Sequence, residues 1–287
     1  SHNLPLVGRK CYEVYHGRSQ PCQTCPTYRA ILTGEAQRET VSLKSGDGQH
    51  LAWLDVHAFP WSDNTSGKIK GVIKYVRDIT YRVEAEKAAE ESLRNLQKAL
   101  NGTVKALANT VETKDPYTAG HQRRVVQLVC AIAQEMEQSS SFIEGMRVMG
   151  FLHDLGKIAI PGEILSKPSK LSDHEFNLIK IHPQTGYDIL KDIDFPWPVA
   201  LAVVQHHERL DGSGYPHGLT DPDIILEAKI LAVADVIEAI ASHRPYRPAL
   251  GIDYAMAEIS KNQGKLYDSE VVRACLRLIK EKGFRFQ

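Results

Sequence analysis

Residues 151–161 read Phe151-Leu152-His153-Asp154-Leu155-Gly156-Lys157-Ile158-Ala159-Ile160-Pro161, and Met146, Val148 and Met149 lead into them. The apolar spacing predicts a buried helix running through this stretch, yet it carries His153, Asp154 and Lys157, and polar side chains inside an apolar helix need partners. Helical neighbours sit about 100° apart and residues three or four apart share a face, so Lys157 should lie near both His153 and Asp154. An isolated His-Asp pair of this kind is ordinarily a satisfied core histidine beside a capping aspartate. The other histidines of the chain argue against that reading.

On either side of this stretch the second half of the chain reads as helical throughout. His121 opens a helix with Arg124 one turn later. Ser172 or Asp173 should cap the helix that starts near Leu171, with Glu175 in support. His182-Pro183 follows, with Gly186, and a helix from Trp197 to Gln205 delivers His206-His207-Glu208 into the turn-rich Asp211-Gly212-Ser213-Gly214-Tyr215-Pro216. Ile230 to Ile240 is an almost wholly apolar helix that nonetheless contains Asp235 and Glu238. His121, His153, His182, His206, His207, Asp154 and Asp235 thus all sit at helix ends or inside apolar helices. Neutral imidazole and carboxylate are ligands for iron, manganese or zinc. The set exceeds what one catalytic ion with open positions requires, so a two-metal site is the economical reading.

The first half has a different texture. Glu39 to Leu43, Leu51 to Phe59 and Ile69 to Ile79 read as three antiparallel strands, joined by turns at 45–48 and at 63–67. From Tyr81 to Thr113 the composition shifts to Ala, Glu, Lys and Leu without proline. Leu93, Leu96, Leu100, Val104, Leu107 and Val111 follow steps of three and four, the seam of a coiled coil or helix bundle and a plausible transmitter and dimer interface. Asp115-Pro116 should end that helix. Cys130 and Cys275 fall singly in apolar helical patterns and read as small core residues. Cys11, His16, Cys22 and Cys25 cluster near the start, and the two-residue spacing of Cys22 and Cys25 suits a grip on one zinc ion or an iron-sulfur centre. Free thiols or a Cys22–Cys25 redox pair are the alternatives.

At 287 residues and 43% hydrophobic content the chain is long enough for two domains with their own cores. Thirty-five basic and thirty-five acidic residues cancel, which argues against bulk electrostatic binding to polymeric nucleic acid or to an anionic membrane. No apolar run approaches a membrane span and no signal peptide opens the chain, so a cytoplasmic location is expected.

Residues 105–287 resemble an HD-GYP domain, a branch of the HD phosphohydrolase superfamily. The matching residues are His121-Gln122-Arg123-Arg124-Val125, His153-Asp154-Leu155-Gly156-Lys157, His182-Pro183 with Gly186, and His206-His207-Glu208 with Asp211 to Pro216. They continue through Ala234-Asp235 to Arg244-Pro245-Tyr246-Arg247. Residues 1–80 resemble the later part of a PAS sensor domain, through Asp78-Ile79-Thr80 and Gly8-Arg9-Lys10-Cys11-Tyr12-Glu13; its first strands and cofactor-cradling helices should precede Leu4. The expected fold is therefore α+β overall: a partial PAS-like antiparallel sheet (1–80), a helical coiled-coil-like linker (81–104) and an all-α HD-type catalytic domain (105–287).

The resemblance implies a metal-dependent phosphodiesterase that hydrolyses cyclic di-GMP to linear pGpG, with or without a second cleavage to GMP. It places one ion among His121, His153, Asp154 and Asp235, and the other among Asp154, His182, His206 and His207, with Asp154 bridging. Iron or manganese is expected, with zinc, nickel or magnesium as alternatives. Lys157 would neutralise charge growing on the phosphorane. Gly214, Tyr215 and Pro216 would shape the pocket wall, and Arg244 and Arg247 would take phosphate or guanine. Tyr117 stands where some members carry a glutamate associated with a third metal, so two ions are expected; Glu238 stands where many carry aspartate. A hydrolase for another nucleotide, or a non-catalytic adaptor that binds a cyclic dinucleotide, are the competing readings.

Overall fold

The computed structural model describes residues 7–16, 19–22, 25–44, 49–63, 65–114, 120–242 and 249–286. Two compact units divide the chain, Ser1–Gln97 and Lys98–Gln287. The turn residues 45–48, Asn64, the Asp115-Pro116 break, Tyr117, and the segment holding Arg244 and Arg247 lie outside the described residues.

In the first unit, helices α1 (Cys11–His16) and α2 (Pro26–Thr33) precede strands β1 (Gln37–Lys44), β2 (His50–Ser62) and β3 (Ile69–Asp78), which form one antiparallel sheet in the order β1-β2-β3. Alternation sets which residues face inward. Val56, paired with Glu39 on one side and Val76 on the other, is buried with Ala58 and with Ala30 of α2. On the opposite face Asp55 accepts from Arg38 Nε and Nη2 at 3.0 and 2.9 Å. Helix α3 (Thr80–Lys114) starts where the sheet ends. Thr80 donates its backbone N–H to Asp78 Oδ1 at 2.9 Å, and its hydroxyl accepts the Trp53 N–H at 2.8 Å. The Asp78-Ile79-Thr80 sequence therefore fastens the first turn of α3 to β2.

The α3 stripe divides. Val104, Ala108 and Val111 are buried in the core of the second unit, whereas Leu93, Leu96, Leu100 and Leu107 are exposed. The single seam expected from periodicity is thus half intrachain core: a period of three and four identifies an apolar face, but not what covers it.

The second unit continues with α4 (His121–Glu135), α5 (Ser140–Leu152), a 3-10 turn (Leu155–Ala159), α6 (Gly162–Leu165), α7 (Asp173–Ile179), α8 (His182–Leu190), α9 (Val199–Gln205), α10 (Leu226–Ala241), α11 (Ile252–Lys261) and α12 (Ser269–Lys280). Its core is built from α4, α5 and α10, with Leu128, Ile132, Met146, Met149, Ile230, Leu231 and Ile237 among the largest fully buried side chains. Each contributes about 1.5–3 kcal/mol by leaving water, which offsets the cost of holding a polar cluster in the same core. Ser172 caps α7 in a reciprocal capping box with Glu175, as expected. One expectation fails at the centre of the chain. Helix α5 stops at Leu152, and Asp154 enters the 3-10 turn that carries Lys157. Among the described residues no helix is long and apolar enough to cross a membrane.

Candidate metal centre

Gly156, in the 3-10 turn that follows α5, sits at a backbone contact. A Cβ there would collide with the backbone carbonyl of His182 and lie 2.6 Å from the Gly186 nitrogen. The 3-10 turn and the start of α8 therefore pack backbone against backbone, bringing Asp154 up to His182. Gly214 is constrained in the same way, with its Cβ position blocked by the backbone of Glu208 and Arg209. The buried Glu208 carboxylate accepts the N–H groups of His217 at 2.7 Å and Leu219 at 3.0 Å. That clamp seats the Gly214-Tyr215-Pro216 loop so that the Tyr215 ring lies 4.7 Å from the His207 ring.

Two sets of ligand atoms converge, His121 with His153 and Asp235, and His182 with His206 and His207; within each set the atoms lie within 4.8 Å of one another. Metal–ligand bonds of about 2.0–2.2 Å place ligand atoms about 3–4 Å apart, so both sets are of the right size. Asp154 stands between them. Its Oδ2 is 3.7 Å from His121 Nε2 and 3.6 Å from His153 Nε2, while its Oδ1 is 3.4 Å from His182 Nε2. Asp235 Oδ1 lies 3.4 Å from His121 Nε2 and 3.9 Å from His153 Nε2. Lys157 Nζ donates to Asp154 Oδ2 at 2.6 Å.

The histidine tautomers follow from the hydrogen bonds. His153, His182 and His206 each donate Nδ1–H to a backbone carbonyl three residues upstream, at Gly150, Ile179 and Val203, over 2.7, 2.8 and 2.6 Å. A carbonyl has no proton to give, so each ring turns an Nε2 lone pair inward. His121 and His153 Nε2 are buried without a hydrogen-bond partner. His182 and His206 Nε2 face each other at 3.3 Å. Unpaired buried lone pairs are costly, and a cation among them removes the cost. The donor set therefore fits divalent ions on both sides of Asp154.

The electrostatics agree. Burial alone would raise the Asp154 carboxyl, but the Lys157 ammonium and the imidazoles of His153, His182 and His121 hold it well below the usual carboxylate range. Burial pushes His182 down to about 4 and His206 to about 3, and His207 falls well below its usual value for the same reason. These imidazoles are neutral at neutral pH, the form that can ligate.

All seven ligand positions read from the sequence meet at this place. Arg244 and Arg247 fall outside the described residues. Cys11, Cys22 and Cys25 are free thiols, and among the described residues they do not converge with other ligand atoms into a third set. Cys11 opens α1, Cys25 precedes the first residue of α2, and the His16 side chain lies outside the described residues. Glu238 was the residue whose part was least visible from sequence. It is fully buried, contacts His121 Nδ1 through Oε2, and accepts from Arg124 Nε at 2.8 Å through Oε1. Its i+3 spacing from Asp235 on α10 was the available signal.

An HD domain family model matches residues 105–271, more than half of the chain. The chain belongs to the HD domain family. A PAS fold model matches residues 3–84, ahead of the HD domain. The HD region is similar to the cyclic di-GMP phosphodiesterase response regulator RpfG of Xanthomonas campestris pv. campestris, at 39% identity over 65% of this chain and 50% of that protein. It is also similar to 3'3'-cGAMP-specific phosphodiesterase 3 of Vibrio cholerae, at 34% identity over 69% of this chain and 43% of that protein. The chain thus spans about half the length of the curated relatives it matches. A solved structure described as Bd1817, a HDG"Y"P protein from Bdellovibrio bacteriovorus, shares the fold at 17% identity, with a TM-score of 0.51 over 84% of this chain and 94% of that one.

Proposed function

We propose that this HD domain is a metal-dependent phosphodiesterase that opens cyclic di-GMP to linear pGpG, with the PAS-like unit as its sensor. The observation that carries the proposal is the placement of Asp154, whose two oxygens face two separate sets of nitrogen and carboxylate ligands. Two divalent ions bound there, iron or manganese foremost and zinc, nickel or magnesium as alternatives, would supply the Lewis-acid chemistry of phosphodiester hydrolysis. The protein's own contribution is positional. Lys157 fixes Asp154 through their 2.6 Å hydrogen bond and sets a positive charge where charge grows on the phosphoryl group. Tyr215, laid against His207 by the Glu208 clamp, with Gly214 and Pro216 forms the wall on which a guanine can stack. Arg244 and Arg247 are assigned to the substrate's phosphates or guanine edges.

The relative's name favours one other substrate, 3'3'-cGAMP, which differs from cyclic di-GMP in one base and needs the same hydrolysis. Release of linear dinucleotide from each cyclic dinucleotide, with manganese or ferrous iron added, separates the two and also tests for GMP as a second product. No release from either substrate would favour a binding adaptor and defeat the proposal. A homodimer through the exposed Leu93, Leu96 and Leu100 of α3, and action in the cytoplasm, complete the reading.

A further inference from the structure

We infer that the two ion positions are unequal, and that Glu238, acting through His121, makes the position formed by His121, His153 and Asp235 the one that fills first and holds its ion more tightly. The inference rests on the proposed binuclear centre. Three of its histidines have neutral supports, the carbonyls of Gly150, Ile179 and Val203. His121 uses a different device. It is the first residue of α4, and Gly120 before it is left-handed at φ 75°. Its Nδ1–H instead goes to the Glu238 carboxylate. A carboxylate behind an imidazole raises its donor strength more than a neutral carbonyl does.

Glu238 is held in place through its other oxygen as well. Its Oε1 accepts from Arg124 Nη2 at 2.7 Å and from the Ser242 hydroxyl at 2.7 Å, in addition to the Arg124 Nε bond. Arg124 comes from the same helix as His121, one turn on, and Glu238 comes from the same helix as Asp235, one turn on. The α4–α10 contact therefore fixes a ligand and its support from both sides. The charges also differ. The first position has the Asp235 carboxylate, an oxygen of Asp154 and the Glu238-backed His121, whereas the second has three imidazoles and an oxygen of Asp154. Mixed carboxylate and imidazole suits manganese and ferrous iron, while an imidazole-rich set leans toward zinc or nickel. Glu238 is a positioning residue, since it acts on His121 through Nδ1, whereas Nε2 is the nitrogen that faces Asp154 and Asp235.

The test uses metal-stripped full-length chain titrated with Mn(II) by calorimetry, with bound ions counted after dialysis. Wild type should bind in two steps of distinct affinity. The variant His207→Ala, which weakens the imidazole-rich position, should keep the tighter step. Glu238→Gln should weaken the tighter step roughly 10–100-fold and leave the weaker step in place, while Glu238→Asp, which restores the charge, should recover part of the loss. Independently of any variant, nitrogen-15 NMR of the metal-free wild type should show His121 protonated at Nδ1 and not at Nε2. Equal loss at both steps, no loss at either, or the opposite His121 tautomer would overturn the inference. Absence of any Mn(II) binding by wild type would defeat the binuclear reading itself, a result distinct from two equal steps.

Discussion

Gly156→Ala is the substitution for which the structure makes the sharpest demand. The new methyl would meet the His182 carbonyl and the Gly186 nitrogen, both backbone atoms with no flexible side chain to swing aside. Ordinary contact requires about 3.4 Å or more, so the 3-10 turn and the start of α8 must part by about 1.5 Å. Overpacking of this kind costs typically about 1–3 kcal/mol. For a domain of about 150–250 residues each kcal/mol lowers Tm by about 2–4 °C, so a fall on the order of 2–12 °C is expected. The same movement carries Asp154 and Lys157 away from His182, and a misplacement of about 1 Å at a catalytic constellation can cost on the order of 10²-fold in rate. Thermal unfolding, turnover of cyclic di-GMP and bound-metal content, measured on one preparation, read all three effects. Gly102→Ala is the control, because nothing lies within 4 Å of its Cβ position on the exposed side of α3, and it should be neutral or stabilise by about 1 kcal/mol. Wild-type Tm, metal content and turnover in Gly156→Ala would refute the backbone-contact account of how the two ligand sets are held together.

Other outcomes follow from the same structure and can be checked separately. Arg244→Ala should weaken cyclic di-GMP binding roughly ten- to a hundred-fold, as loss of a charge-assisted phosphate contact of about 1.5–3 kcal/mol requires, with bound metal unchanged; calorimetric titration of the dinucleotide reads it, and equal affinity removes Arg244 from the site. Leu96→Glu, on the exposed stretch of α3, should shift the protein from dimer to monomer in sedimentation analysis without altering bound metal; an unchanged sedimentation coefficient removes the leucine stripe as the interface. In the first unit the Arg38 side chain, with a smaller help from His57, holds the Asp55 carboxyl down at about 2 against the upward pull of burial. A depressed carboxyl stabilises the fold above its unfolded value of about 3.9, and that contribution disappears as pH falls through about 2. Arg38→Ala should move the NMR titration midpoint of Asp55 upward and make the sheet lose its order at a higher pH than wild type; an unmoved midpoint contradicts the pairing.

Much of the second unit was legible because its signals are local. A histidine or aspartate in an apolar helix stands out against its own neighbours, and His121, His153, Asp154, His182, His206, His207 and Asp235 were each visible in that way. The three strands were legible for the same reason, since alternation is a property of adjacent residues. What escaped depends on partners far away in the chain. Helix α5 ends at Leu152 although the apolar pattern runs on to Leu155, and the Gly156 approach to α8 just after it joins segments distant in the chain. The contact of Glu238 with His121 spans 117 residues, and no periodicity encodes it. The leucine stripe of α3 reads as one face, yet Val104 and Val111 are covered by the second unit's own core while Leu93 and Leu96 are not. At the amino terminus Cys11, Cys22 and Cys25 lie close in sequence and form no third ligand set among the described residues, with the His16 side chain outside them.

The central claim is that Asp154 joins two ion sites into one centre, and counting metal tests it most directly. Full-length protein isolated anaerobically should contain two divalent ions per chain by elemental analysis, and Asp154→Ala should retain neither at stoichiometric level, because each ligand set loses its shared oxygen and the carboxylate charge that balanced its cation. Three ions per chain in the wild type, or two ions kept by Asp154→Ala, would contradict the account.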